Sequence, residues 1–428
     1  MMNAKIIKNI LSSSCADAWE ISDVCEEGWE FYFIRHELDQ HRARKVEHIK
    51  VTVYKRSDGF LGNAGGEIAP TSTEEEAKDF IERLILRAGC IKNPDYTLNP
   101  PKKAEPLGTA CTDITKNAED FLEVMKSVKE DENSYINSYE IFTGKKKVHF
   151  INSEGIDVTE EYPSSMLEVV VNAKKDGHEI ELYRMYESGS CAKDTLKREI
   201  EKTMRYGLDR LEAVPTPALE KCAVVFSTSD AAAIYSYFED NMSAGFAVRK
   251  MSDISIGDEV VKDARGDKVT VKARRFIKDS SCSFAYDEEG APTRDVTIIE
   301  NNIARERWGS RIFSQYLGLE ESGIVYNWEV SGGTAKESDI RSGRFLEIVE
   351  FSDFQCDSAT GDIFGEIRLA FLHDGDGSVK IVTGGSVSGT MAELAKNMRM
   401  SEAQAVYNNV IIPELTRLEG VTVTGAQQ

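Results

Sequence analysis

Six residues near the amino terminus, His36-Glu37-Leu38-Asp39-Gln40-His41, hold the parts of a zinc hydrolase. Two imidazoles would bind the ion and one carboxylate would act as general base. His48 follows close behind. The spacing argues against that use. On a straight α-helix, residues five apart point in substantially different directions, so this spacing alone builds no site. The stretch also ends a strand pattern, with no glycine after it to close a helix. HELDQHRARKVEH therefore reads as a solvated, charged hairpin. His149, His178 and His373 are isolated and show no ligand spacing. Asp374-Gly375-Asp376-Gly377 begins like a calcium loop but lacks the remaining ligand positions and the distal glutamate, so it reads as a turn.

A second stretch, Val224–Lys250, gives a better frame for chemistry and fewer groups to do it with. Val224, Val225 and Phe226 form a short buried strand. Ser227, Thr228, Ser229 and Asp230 offer side-chain oxygens to the free amides of a helix. Ala231 to Phe238 form that helix, and Gly245 suits its end. The helix carries Tyr235, Ser236, Tyr237, Phe238, Glu239, Asp240 and Asn241. Ser and Asn are poor zinc ligands, and Tyr is no carboxylate base. On the residues alone, core packing accounts for this helix as well as a site does.

The remaining elements set the frame. A chain of 428 residues is too long for one simple core and divides into two or three domains. Ile6, Ile7, Ile10 and Leu11 outline a short amphipathic helix at the start. Trp29–Arg35 and Lys50–Lys55 are strands, Ser57-Asp58-Gly59 is a turn, and Phe60–Ala69 returns as a strand. A helix follows, with capping-box spacing from Ser72 to Glu75 and from Thr73 to Glu76. Its buried face is Phe80, Ile81, Leu84, Ile85 and Ala88. The order recurs: strand Met166–Ala173, turn Lys175-Asp176-Gly177, strand Ile180–Tyr186, and helix Lys193–Arg210 with Leu196, Ile200, Met204 and Leu208 on one face. Two strand-turn-strand-helix units thus make one α+β domain, residues 1–213. Between them lie a proline-rich connector (Asn99–Leu107), a helix (Thr115–Val128) and the hairpin-like pair Ser138–Phe142 and Lys147–Ile151. Val214-Pro215-Thr216-Pro217 marks the boundary. Residues 218–428 read as short strands between Gly- and Asp-rich turns: a β-rich sandwich or barrel-like domain. The fold class is α+β.

Composition excludes several classes. The formal net charge of −21 repels phosphate backbones and disfavours direct nucleic-acid binding. No apolar run is long enough to span a membrane, and no apolar core of a signal peptide is present. Eight scattered cysteines, among them Cys111, form no CxxC pair and read as reduced thiols of a cytoplasmic protein.

Several short motifs, in order, resemble the TldD/PmbA family, the "modulator of DNA gyrase" proteins. They are VVFSTSD at Val224–Asp230, Asn152-Ser153-Glu154-Gly155, Asp287–Thr293 (DEEGAPT), Asn327–Thr334 (NWEVSGGT), Ser358–Asp362 (SATGD) and Gly420–Gly425 (GVTVTG). In the TldD branch the helix after that strand carries H-E-x-x-x-H and a late cysteine completes the zinc site. The resemblance places Ser236 and Asn241 at the histidine positions and Tyr237 at the glutamate. Residues 397–419 contain no cysteine. The chain therefore resembles the PmbA (TldE-like) branch, which keeps the fold and lacks the zinc site.

That resemblance implies a non-catalytic subunit of a peptide-processing zinc metalloprotease. Zinc would reside only in a TldD-like partner; this chain would hold no metal or other cofactor. Partners would be that subunit, self-association as a dimer, and unfolded or extended peptides. The candidate peptide cleft is Tyr235, Phe238, Asn327, Gly332 and Gly333. The alternatives are an active metallopeptidase with a rearranged site, and a self-associating peptide-binding protein with no enzymatic partner. The gyrase link in the family name has no basis in these residues.

Overall fold

The structure, a computed structural model, describes residues 2–108 and 113–426. Cys111 lies outside them. The first half is a six-stranded antiparallel sheet flanked by four helices. In chain order these are α1 (Ala4–Ser12), β1 (Ala18–Ile34), β2 (Glu37–Ser57), β3 (Phe60–Ile68), α2 (Glu74–Gly89), α3 (Ile114–Ser127), β4 (Ser134–Asn152), β5 (Asp157–Lys175), β6 (His178–Ser188) and α4 (Lys193–Leu211). The sheet order β3-β2-β1-β4-β5-β6 places the two halves back to back. Each half reads helix, three strands, helix, so the repeated unit is larger than strand-turn-strand-helix. The expected hairpin at Ser138–Phe142 and Lys147–Ile151 is one strand, β4. Full ladders with β1 on one side and β5 on the other outweigh the turn-like Thr143-Gly144-Lys145-Lys146.

The hairpin turns follow from local chemistry. Arg35-His36, Asp58-Gly59 and Asp176-Gly177 each have φ positive at both residues, the turn whose twist matches flanking strands. α2 begins with a complete capping box between Thr73 and Glu76. The helices cover one sheet face with two cores. Ile7, Ile21, Val51, Ile81 and Leu84 belong to one, and Phe121, Tyr139, Leu167, Val169 and Ile200 to the other.

The second half contains two further sheets. β7 (Val214–Pro215) and β8 (Leu219–Phe226) open it. β8 pairs with Phe345–Cys356 in parallel and with Thr416–Thr424 antiparallel. Thr416–Thr424 continues to Ser386–Thr390, that strand to Asp362–His373, and Asp362–His373 returns to Phe345–Cys356. The ring closes a small barrel, which leaves those strands without free edges along the paired residues. A six-stranded sheet lies beside it, in the order Ile303–Ala304, Val296–Glu300, Thr270–Arg274, Asn327–Ser331, Val410–Pro413, Gln404–Tyr407. One shared core joins barrel and sheet, including Val224, Phe226, Val271, Val330, Leu346, Ile348 and Leu418. This is the β-rich, barrel-containing half of an α+β fold.

After β8 the chain makes a single 3-10 turn (Ser229–Ala231) and enters α5 (Ala232–Asn241). No side chain of Ser227–Asp230 caps α5; the Thr228 hydroxyl donates to Asp230 instead. Gly245 does not end α5 either. It lies inside a second short helix, α6 (Ala244–Val248), whose amide at Phe246 is capped by Ser243. That cap starts a new helix two residues after α5 stops.

Candidate functional site

α5 crosses from β8 towards the turn Asp357–Gly361. Its inner face is sealed. Tyr235 and Phe238 are 0% exposed and belong to the shared core. The Tyr235 hydroxyl is 2.7 Å from Thr416 Oγ1, so even its polar tip is used internally. The expectation that these two rings line a peptide cleft is therefore overturned: their spacing puts them on the buried stripe of the helix.

Ser236, Tyr237 and Asn241 occupy the other side. Ser236 Oγ donates to Ala233 O at 2.8 Å, back along its own helix. Asn241 Nδ2 donates to Tyr237 O at 2.8 Å and to Ser358 O at 2.7 Å. Ser358 Oγ donates to Asp240 Oδ2 at 2.6 Å. Asp357 Oδ1 accepts from the amides of Ala359 and Thr360, and Gly361 takes φ +77° to complete the turn. The SATGD motif is thus a turn pinned to the carboxyl end of α5.

Tyr237 and Asn241 line a pocket of about 370 Å³ with Val260, Val261 and Met391. Its walls carry four carboxylates, Asp253, Asp258, Glu259 and Glu393, but no His or Cys, the ligands the family motif would supply. The Asn241 amide nitrogen is already committed to two carbonyls, and Ser236 Oγ to a third. Burial, with Asp240 beside it, raises the Glu239 carboxyl to about 8, and burial raises the Tyr237 phenol. Burial also pushes the nearby Cys356 thiol to about 12. Among the described residues, no group of three His, Cys, Asp or Glu side chains is placed to hold a metal.

The remaining candidates serve packing. Asn327 is 0% exposed; Ser280 Oγ donates to its Oδ1 at 2.7 Å and its Nδ2 donates to Ser283 Oγ at 3.1 Å. A methyl group on Gly332 would stand 2.2 Å from Lys268 O, and one on Gly333 2.4 Å from both Met400 O and Ser401 O. These glycines let backbones touch. NWEVSGGT is an interior strand and its exit: Asn327 is sealed and no cleft wall, which corrects its assignment, while Gly332 stands exposed and Gly333 half-buried just beyond the strand's end. The HELDQH stretch starts in the β1–β2 turn and continues as β2. His36 lies 2.5 Å from Glu130 Oε1, while His41 stacks on Phe31 at 6.4 Å. The two imidazoles serve different neighbours.

Sequence reading missed a second constellation, at the junction of the two halves. Glu20 on β1 accepts from Tyr54 OH at 2.7 Å. Asp287 accepts from the amides of Glu289, Ala291 and Ile324. Glu289 Oε2 accepts from Arg311 N at 2.9 Å, and Arg311 Nη1 donates to Glu321 at 2.7 Å. Arg311 also reaches Thr97 O and Asn99, binding the connector. Burial raises Glu20 to about 7, Asp287 to about 6 and Glu289 to about 8. Asp287 and Glu289 both lie in the noted DEEGAPT turn. Glu20 and Arg311 are far from it in sequence and carry no joint signal with it.

Comparison with known proteins places this geometry. Residues 219–425 match the family model described as the PmbA/TldA metallopeptidase C-terminal domain. A Metalloprotease PmbA homolog of Haemophilus influenzae is 26% identical over 158 residues, 32% of this chain and 34% of that protein. The match thus spans about a third of the curated relative's length. TldE from Thermococcus kodakarensis has the same fold, with TM-score 0.77, 18% identity and 98% of each chain covered. A proposed modulator of DNA gyrase from Thermotoga maritima also superposes at TM-score 0.77, with 15% identity and 99% of each chain covered. Among the described residues, no helix is long and apolar enough to cross a membrane.

Proposed function

This chain belongs to the TldD/PmbA family, and from that membership we propose that it is the non-catalytic subunit of a zinc metalloprotease assembly acting on unfolded or extended peptides. The observation that carries the reading is α5. At the positions that resemblance aligns with the zinc-binding helix stand Ser236, Tyr237 and Asn241. Their polar groups are either bound to the protein's own backbone or, for Tyr237, set in a pocket without His or Cys. The family fold is kept while the ligands are replaced by structural contacts. Zinc and the general base are then supplied by a TldD-like partner, and this chain shapes the peptide path. A cytoplasmic location and peptide maturation go with that role.

The test is capture of the native chain from extract, with mass spectrometry and elemental analysis. The expected result is a co-purifying TldD-type chain that carries the zinc, and no stoichiometric zinc on this chain alone. Zinc at about one per chain in the isolated protein, with peptidase activity, would establish the alternative of a rearranged active site. A homodimer without any such partner would favour the self-associating peptide binder.

A further inference from the structure

The pocket between the two halves of the molecule has an unusual position: two sheets end at it. β6 is the last strand of the amino-terminal sheet, and Gln404–Tyr407 is the last strand of the carboxy-terminal six-stranded sheet. Among the described residues, no backbone hydrogen bond joins the outer edge of either strand to another segment. Six consecutive residues, Tyr183–Ser188, line the pocket. Successive strand residues point to opposite faces, so a wall made of all six is the strand's edge. Val406, Tyr407 and Asn408 line the other side. The volume is about 390 Å³. Tyr183, Met185 and Val406 are about half exposed at its rim, at 52%, 49% and 48%.

Its walls are aromatic and acidic. Tyr186, Tyr206, Phe351 and Tyr407 supply rings. Glu187, Glu199 and Asp230 face it without an ion-pair partner among the described residues. Of the two cations present, Arg184 is held by Glu350 at 3.4 Å, and Lys202 lies over the Tyr206 ring at 5.7 Å. Glu350 is 3% exposed, and its second carboxylate oxygen has no partner. Three carboxylates and two cations therefore line the slot, and one of those cations, Arg184, is already held by Glu350 behind it. Rings and uncompensated carboxylates together favour a cation.

We infer that this slot binds an extended polypeptide segment along the β6 and Gln404–Tyr407 edges, with a lysine or arginine side chain seated among the rings and carboxylates. The backbone supplies affinity by completing the open edges, and the pocket supplies preference for one side chain. The inference rests on the peptide-handling role proposed above and adds a binding register and a side-chain class to it. The slot lies at the amino-terminal end of α5, away from Tyr237 and Asn241.

The experiment uses the full chain and fluorescein-labelled nine-residue peptides of alternating Thr and Val with a central Lys, Glu or norleucine. Fluorescence anisotropy should show the Lys peptide binding about tenfold or more tightly than the Glu peptide. Methylating alternate backbone nitrogens of the Lys peptide should abolish binding, because the peptide loses the N–H donors that the edge carbonyls accept. Asp230→Asn should bring the Lys-to-Glu ratio to about threefold or less, and Glu199→Gln on α4 should reduce it independently. Circular dichroism confirms that both variants fold. Equal affinity for Lys and Glu peptides, undiminished binding after methylation, or no binding by any peptide would each overturn the inference. Co-purification with a zinc-bearing partner is read separately, so the broader role stands or falls on its own.

Discussion

Asn241 Nδ2 lies 2.7 Å from Ser358 O and 2.8 Å from Tyr237 O, so one amide fastens the end of a helix to a turn more than a hundred residues away. Asn241 is only 6% exposed. Removing its side chain leaves the Ser358 carbonyl without that donor. Asn241→Ala should therefore cost about 1–3 kcal/mol of stability, the usual penalty for orphaning a buried polar group. Urea denaturation measures it. A loss below about 0.5 kcal/mol, the range of unconstrained surface changes, would show that the contact is dispensable.

Rebuilding the family motif should fail. Ser236→His, Tyr237→Glu and Asn241→His together restore only part of a zinc site, because the ion still wants another strong ligand and residues 397–419 have no cysteine. They also break the Asn241 clamp. Weak zinc binding at most, and no peptide hydrolysis, is the expected outcome of calorimetry and a fluorogenic peptide assay. Robust hydrolysis would show that the missing cysteine is unnecessary.

His36 and His41 should be replaceable. His36 meets Glu130 at the surface and His41 stacks on Phe31. A surface pair of this kind is worth about 0–1 kcal/mol. His36→Ala with His41→Ala should leave zinc content unchanged and shift the thermal midpoint only slightly. Loss of bound zinc in that variant would restore the stretch as a metal site.

Gly333→Ala should be more damaging than its size implies. The added methyl would sit 2.4 Å from two carbonyl oxygens, both backbone atoms that cannot swing away. Overpacking of this kind costs about 1–3 kcal/mol, and more where backbone must move. Comparison with Gly59→Ala, where nothing lies within 4 Å but φ is +81°, separates crowding from backbone strain.

What was legible in the chain followed from periodic signals. Val224–Phe226 and the Leu196–Ile200–Met204 stripe placed β8 and α4, because apolar spacing reports which face is buried. Asp58-Gly59 and Asp176-Gly177 placed two hairpins through backbone chemistry. The candidate cleft was less legible. Tyr235 and Phe238 have the same spacing whether they face a cavity or a core, and only the barrel packed against α5 decides. Asn327 likewise looks available until Ser280 and Ser283 are brought to it. Glu20 and Glu289 meet only because the amino-terminal sheet docks on the carboxy-terminal half, and no local pattern records docking.

That junction gives the protein a pH dependence. Burial holds Glu20 at about 7 and Glu289 at about 8, above the range of carboxylates in an unfolded chain. A carboxyl raised by folding contributes stability fully below its unfolded value and loses it as pH climbs through the folded one. Here the unfolded chain releases these protons first, so stability should decline as pH rises from about 5 to about 9. Carboxylates held low by lysine, such as Asp120 beside Lys116 and Lys193, act oppositely and weaken the protein only at more acid pH. Glu289→Gln keeps the shape of a neutral acid and can still accept from Arg311 N. It should flatten the decline of the thermal midpoint above neutral pH, and Glu20→Gln should do the same more weakly, since Glu20 is raised less. The two changes share a neighbourhood and should not add. A midpoint that rises between about pH 6 and 9, or a slope untouched by Glu289→Gln, would show that these carboxyls are already ionised in the folded protein, with Arg311 compensating more than one of them.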